Sequence, residues 1–199
     1  MIYFVTGTDT GAGKTHVTAA IVHGLRAAGR EARAIKPIET GWNQATSDAA
    51  RLAQASARSI DDSVYMRFAL ARSPQAAAAA EGRAIDLDDV IEWCRAQSGD
   101  PLLIEGAGGW RVPIGGRREY AELARSLDAQ VIVVGRAGLG TINHSVLTLD
   151  AAQARIAVLS RLPTDDLGFA RDNARAIEEM TGARVAIVPD DLPTILGWF

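Results

Sequence analysis

The sequence predicts an α/β fold: a mostly parallel sheet with helices on both faces, in one domain spanning residues 1–199. Three observations lead there. Short, continuous apolar runs rich in Val and Ile alternate with segments of helical periodicity. A glycine-rich stretch, GTDTGAGKT at residues 7–15, joins the first apolar run to the first helical segment. Finally, no linker, internal repeat or charge block divides the 199 residues, a length that suits one core. Strands alternating with helices imply right-handed crossovers and so parallel strands.

Six runs are expected to be strands: IYFVT at 2–6, ARAIK at 32–36, PLLIEG at 101–106, QVIVVG at 130–135, IAVLS at 156–160 and RVAIV at 184–188. Between them, residues 14–29 place Val17, Ala20, Ile21 and Leu25 on one helical face, with Gly29 as the stop. Further helices are expected over 48–56, 86–97, 119–127, 143–154 and 166–180. The alanine run at 76–80 reads as helix, alanine being the strongest helix former.

Composition narrows the function. A hydrophobic content of 48% with 23% charged residues is ordinary for a globular protein. The net charge of −3 argues against a general nucleic-acid or anionic-membrane binder. Cys94 is the single cysteine, which rules out an internal disulfide framework and suits a reducing compartment. The N-terminus does not read as a secretion signal, and no apolar run approaches the roughly 20 residues that span a bilayer. A cytoplasmic protein with no nucleic-acid and no membrane partner is the expectation.

The loop at 7–15 has what a phosphate needs. Gly7, Gly11 and Gly13 allow close backbone approach, and a helix starting near Lys14 directs its unpaired N–H groups at the ligand. Lys14 reaches terminal phosphates and the Thr15 hydroxyl suits Mg²⁺. Yet the common pattern is Gly, four residues, Gly-Lys-Ser/Thr. Counting back from Gly13 finds Thr8 at its first position, with Gly7 one residue too early. The alternative is a glycine-rich turn with a chance Gly-Lys-Thr, but the strand–loop–helix setting favours a phosphate loop and a P-loop NTPase-type fold. The loop specifies a nucleotide, not a reaction.

Two further stretches fall at strand ends. In IKPIETG at 35–41, Lys36 closes an apolar strand and Pro37 breaks it. Lys36 is either a second cation for the phosphates or a solvated strand-end lysine. In DPLLIEGAGGW at 100–110, Glu105 ends an apolar strand, as a carboxylate near Mg²⁺ does in such folds, and Gly106, Gly108 and Gly109 leave room for a substrate. An incidental acid in a glycine-rich turn is the other reading. Asp48, in TSDAARL at 46–52, is open between a functional carboxylate and a helix N-cap.

Four segments together resemble the dethiobiotin synthetase (dethiobiotin synthase) family of biotin biosynthesis: TGTDTGAGKT at 6–15, KPIETG at 36–41, LIEGAGGW at 103–110 and GLGTINHSVLT at 138–148. SDA at 47–49 and SPQAAAAAEGR at 73–83 match more weakly, and together the segments span most of residues 1–150. In that family the phosphate loop dispenses with the glycine missing at Thr8. The resemblance implies an ATP-dependent cyclo-ligase that takes 7,8-diaminononanoate, CO₂ (or bicarbonate) and MgATP and yields dethiobiotin, ADP and phosphate. The route implied is a carbamate, then a carbamic–phosphoric anhydride closed by the second amine.

Carried over by resemblance, Lys14, Lys36 and Thr10 are catalytic, and Thr10, Gly11, Ala12, Gly13, Lys14, Thr15 and Glu105 bind nucleotide. Thr15, Asp48 and Glu105 match the Mg²⁺ ligands, hard oxygens as that ion prefers. Thr10, Lys36, Thr40 and Gly108 lie along the diamine. Gly140, Thr141, Ile142 and Asn143 receive the substrate carboxylate from a neighbouring subunit, which implies a homodimer with shared active sites. By residue type alone, Thr141 and Asn143 also suit helix capping. His16, His23 and His144 read as structural or surface residues. The family commonly has an adenine-reading asparagine where Ser160 stands, and histidine is frequent where Gln75 stands. The tail after residue 185 is short, so the expectation is relaxed nucleotide selectivity. The alternatives are an amidoligase of the same phosphate-loop class, which usually carries a further glutamine-hydrolysing domain, and a nucleotide-driven switch. A switch typically has a lysine where Asp9 stands.

Overall fold

The computed structural model describes residues 1–43 and 45–199. In chain order the elements are β1 (Ile2–Gly7), α1 (Lys14–Ala27), β2 (Arg33–Ile35), β3 (Ile38–Thr40), α2 (Asp48–Ala55), β4 (Met66–Phe68), α3 (Pro74–Ala80), α4 (Leu87–Arg95), β5 (Leu102–Gly109), β6 (Pro113–Gly115), β7 (Arg118–Glu119), α5 (Tyr120–Ser126), β8 (Gln130–Arg136), α6 (Thr141–Ala152), β9 (Ile156–Ser160), α7 (Leu167–Thr181), β10 (Arg184–Val188) and α8 (Leu192–Leu196). Six strands form one sheet in the order β10-β9-β8-β1-β5-β2, and every neighbouring pair is parallel.

The sheet is covered on both faces, which is why its strands read as unbroken apolar runs. On β1, Tyr3 and Val5 pack with Val17, Ile21 and Leu25 of α1, while Phe4 packs with Trp110 and Tyr120 on the other side. Helices α6 and α7 cover β8–β10 through Val133, Leu149, Leu159, Ile177 and Ile187. Each such aliphatic side chain contributes about 1.5–3 kcal/mol on burial. Helix α1 stops as the sequence predicts: Gly29 has φ +83°, and the Arg30 N–H donates back to the Leu25 carbonyl at 3.0 Å.

Five elements were not expected. The pairs β3–β4 and β6–β7 and the five-residue α8 are too short to show a period in the sequence. Helix α6 starts two residues before the expected 143, and β5 runs on to Gly109, so the Gly106–Gly109 stretch is strand and not turn. Parallel strands in register bring the carboxyl ends of β1, β2, β5 and β8 to one edge, where ligands bind in open α/β sheets. Among the described residues no helix is long and apolar enough to cross a membrane.

Candidate active site

The phosphate loop turns at Gly11 (φ +72°) and Gly13 (φ +94°). Thr8 is not among the residues of positive φ, and its N–H donates to the Val134 carbonyl at 2.9 Å. Position 8 therefore needs no glycine, which gives the departure from the common pattern a physical reason. Gly7 has its own requirement: a Cβ there would lie 2.8 Å from the Asp9 carbonyl oxygen and 2.9 Å from Lys14 Nζ. Lys14 folds back over the loop and donates to the Asp9 carbonyl at 3.2 Å.

Burial pushes the Lys14 pKa below its ordinary 10.5, Lys36 adds to the effect, and Glu105 opposes it. A triphosphate bound beside Lys14 would raise that pKa again, so nucleotide binding at alkaline pH would take up a proton. Affinity is then expected to fall as pH rises through the depressed lysine value. Calorimetry in buffers of differing ionisation heat checks this, and Lys14→Arg should abolish the proton uptake.

A buried network lies under the loop. Thr15 Oγ1 donates to Glu105 Oε1 at 2.7 Å, and Lys36 Nζ donates to the same oxygen at 2.6 Å and to Asp48 Oδ2 at 2.7 Å. Glu105 is fully buried and Lys36 is 4% exposed. Burial alone would lower the Lys36 pKa, but the Glu105 and Asp48 charges outweigh it and the value is raised. For Asp48, burial would raise the pKa and Lys36 more than offsets that, so its carboxyl sits below the usual range. The raised lysine contributes stability below about 10.4 that is lost as pH climbs through its folded value. The depressed aspartate contributes above about 3.9, and that is lost as pH falls through its folded value. Neutral pH lies inside both windows, so Lys36 and Asp48 stay charged there.

These groups floor a cleft of about 560 Å³ lined by Thr10, Gly11, Gly13, Lys14, Thr15, Lys36, Thr40, Asp48 and Gly108 among others. All nine were expected from the sequence. Glu105 lies behind the lining, and Ala12 is buried in the loop. Two capping alternatives are ruled out. Ser47, not Asp48, caps α2, its Oγ accepting from the Ala50 N–H at 3.0 Å. Gly140 is the N-cap of α6, so Thr141 and Asn143 are inside the helix and neither side chain caps it. His16, read as structural or surface, is an exposed residue and stands in the cleft lining.

Of the glycines on β5, only Gly108 opens onto the cleft. Gly106 is small because a Cβ would meet the Phe4 ring at 3.0 Å. Residues 140–143 do not line the cleft of their own chain. Arg51, Arg72, Ser73 and Pro74 do line it and were missed as site residues. Arg51 carried a signal, standing three positions after Asp48 on one helix face; nothing in the sequence marked Arg72.

A protein-family model described as an AAA domain matches residues 2–194. The ATP-dependent dethiobiotin synthetase BioD of Anaeromyxobacter dehalogenans (strain 2CP-C) is 43% identical over 188 residues, covering 89% of this chain and 84% of the relative. The chain belongs to the ATP-dependent dethiobiotin synthetase family. The synthetase of Aquifex aeolicus is 39% identical, covering 95% of the chain and 89% of the relative, and that of Haloferax mediterranei 38%, covering 94% and 83%. Among solved structures, chloroplast FtsY from Physcomitrella patens superposes with a TM-score of 0.54 at 14% identity. It covers 93% of this chain and 57% of FtsY, a likeness of fold alone. For this synthetase family member the match runs past residue 150 and so includes Ser160.

Ser160 sits against the loop: a Cβ on Gly13 would lie 2.3 Å from its Oγ. Cys94 takes no part in the site, being buried far enough to push its thiol up to about 12.

Proposed function

We propose that the chain, acting as one domain, makes dethiobiotin from 7,8-diaminononanoate, CO₂ and ATP. The observation that carries this reading is the Thr15–Glu105–Lys36–Asp48 network opening onto the same cleft as the phosphate loop. Loop N–H groups and Lys14 take the triphosphate. One amine of the diamine takes up CO₂ and loses a proton, giving a carbamate. A carbamate oxygen then attacks the γ-phosphorus and ADP leaves. The second amine attacks the carbamoyl carbon, phosphate departs and the ureido ring closes.

Two anions meet in the phosphoryl step, so Lys14 and Lys36 act where charge develops. Thr10 and Thr40 offer hydroxyl donors to the carbamate and phosphates. Gly108 keeps space beside Thr10, since a Cβ there would be 3.7 Å from Thr10 Oγ1 and 3.0 Å from Val112 Cγ2.

Mg²⁺ fits the donor set. Glu105 Oε2 is buried without a hydrogen-bond partner, and Thr15 Oγ1 and the Asp48 carboxylate are further hard oxygens beside it. Thr15, Asp48 and Glu105 would hold the ion. An ion there would complete its shell with phosphate oxygens and water. When bound, the ion neutralises the phosphate oxygens.

The start of α6 serves a neighbouring copy in this reading. Gly140, Thr141, Ile142 and Asn143 stand outside their own cleft, and Leu139 (94% exposed) and Leu147 (61% exposed) offer apolar surface for a homodimer. The cytoplasm is its proposed location. Incubating the protein with MgATP and bicarbonate, with and without the diamine, tests the function. Phosphate release and dethiobiotin, followed by mass, should both require the diamine; phosphate release that ignores it would sink the reading.

A further inference from the structure

Lys36, in the link between β2 and β3, and Thr40, at the end of β3, line the cleft, but between them β3 carries a third polar group that is absent from the lining. Glu39 is 3% exposed. Its Oε1 accepts from the Asp48 backbone N–H at 2.7 Å, and its Oε2 accepts from Ser47 Oγ at 2.9 Å and the Ala49 N–H at 3.3 Å. Ser47 Oγ in turn accepts from the Ala50 N–H at 3.0 Å. The first three N–H groups of α2 are therefore all satisfied from outside the Asp48 side chain.

That matters for the site. An aspartate in the first turn of a helix ordinarily has unpaired N–H groups and a positive dipole end beside it, which draw its carboxylate back onto its own backbone. Here those donors are already taken. The Asp48 carboxylate is left to reach Lys36 at 2.7 Å with 40% of the side chain still exposed toward the cleft. Burial of a carboxylate is costly unless it is hydrogen-bonded, and Glu39 meets that condition only by gripping the start of α2. The short stretch from Lys36 to Thr40 thus supplies the buried lysine and, through Glu39 and the helix start, holds Asp48.

We propose that Glu39 is a positioning residue for Asp48: by occupying the N-terminus of α2 it holds the Asp48 carboxylate free to act in the cation-binding side of the site. The proposal rests on the reading of Asp48 as a magnesium ligand. Glu39→Gln is nearly isosteric but places an NH₂ donor against one of the donors it should accept from. It should loosen the Asp48 backbone and let its carboxylate fall back onto the helix start.

The test is a calorimetric titration of Mg²⁺ into protein saturated with a non-hydrolysable ATP analogue, with turnover measured in parallel. Glu39→Gln is expected to weaken Mg²⁺ binding about tenfold, the low end for a residue that orients a metal ligand from behind. Metal-free analogue binding should be unchanged, and kcat should recover at saturating Mg²⁺. Lowered thermal stability with unchanged Mg²⁺ affinity would overturn the proposal and leave Glu39 a brace only. Asp48→Asn, run alongside, separates the two ideas. If it weakens Mg²⁺ binding and Glu39→Gln does not, Glu39 alone is misassigned; if Asp48→Asn has no effect, the ligand reading fails and takes the proposal with it.

Discussion

Replacing Lys36 by alanine is expected to lower kcat by about 10³-fold while nucleotide affinity changes by only a few-fold. Lys36 is 4% exposed and held by two carboxylates, so its charge is fixed before substrate arrives. Removing one such preorganised group typically costs 10²–10³ in kcat, about 2.7–4 kcal/mol. The role assigned to it, between carbamate and γ-phosphate, places this case at the upper end. In the proposed reading the loop and Lys14 take the triphosphate, and the substitution leaves both in place. The variant also leaves Glu105 fully buried without its counter-charge, and breaking such a pair costs about 3–5 kcal/mol. Thermal denaturation should therefore show a clear loss of stability beside the kinetic defect, and Lys36→Arg should restore part of the stability. Wild-type turnover in Lys36→Ala would remove the residue from the mechanism.

Gly13→Ala should abolish useful nucleotide binding. Gly13 has φ +94°, a conformation that strains any residue with a Cβ. A Cβ there would also fall 2.3 Å from Ser160 Oγ and 2.5 Å from Ser160 Cβ. Ser160 cannot withdraw easily, because it ends β9, is buried, and its carbonyl accepts from the Ala137 N–H at 3.1 Å. The loop must move instead, and strain of roughly 3 kcal/mol corresponds to about a hundredfold in affinity. Adding Ser160→Gly should recover binding only in part, since it relieves the contact and not the backbone strain. Equilibrium titration with ATP decides it, and near-native affinity in Gly13→Ala would contradict this account of the loop.

The sequence carried the six-stranded sheet because each of its strands is buried on both faces and so reads as an apolar run. IAVLS and RVAIV match β9 and β10 residue for residue. The strands it did not carry are three residues long or shorter and lie outside the six-stranded sheet, too short for a period to form. The candidate site was legible where strand ends carry unusual residues: Lys36 and Glu105 stood out against apolar neighbours. Asp48 was ambiguous because aspartate is a good capping residue, and only the neighbouring Ser47 in three dimensions resolves which one caps. Glu39 was invisible for a different reason. An acid in a short polar stretch reads as surface, and its burial depends on a helix start eight to ten residues further along the chain. Arg51 on α2 and Arg72 in the loop before α3 line the same cleft, a juxtaposition that no spacing in the sequence encodes.

The central claim is that a carbamate oxygen attacks the γ-phosphate in this cleft. Supplying freshly added ¹⁸O-labelled CO₂ with the diamine and unlabelled MgATP, then analysing the released phosphate by mass, tests it directly. The account predicts one labelled oxygen in each phosphate released, in step with dethiobiotin formed. Phosphate that carries no label would mean that water, not carbamate, attacks ATP, and would contradict it.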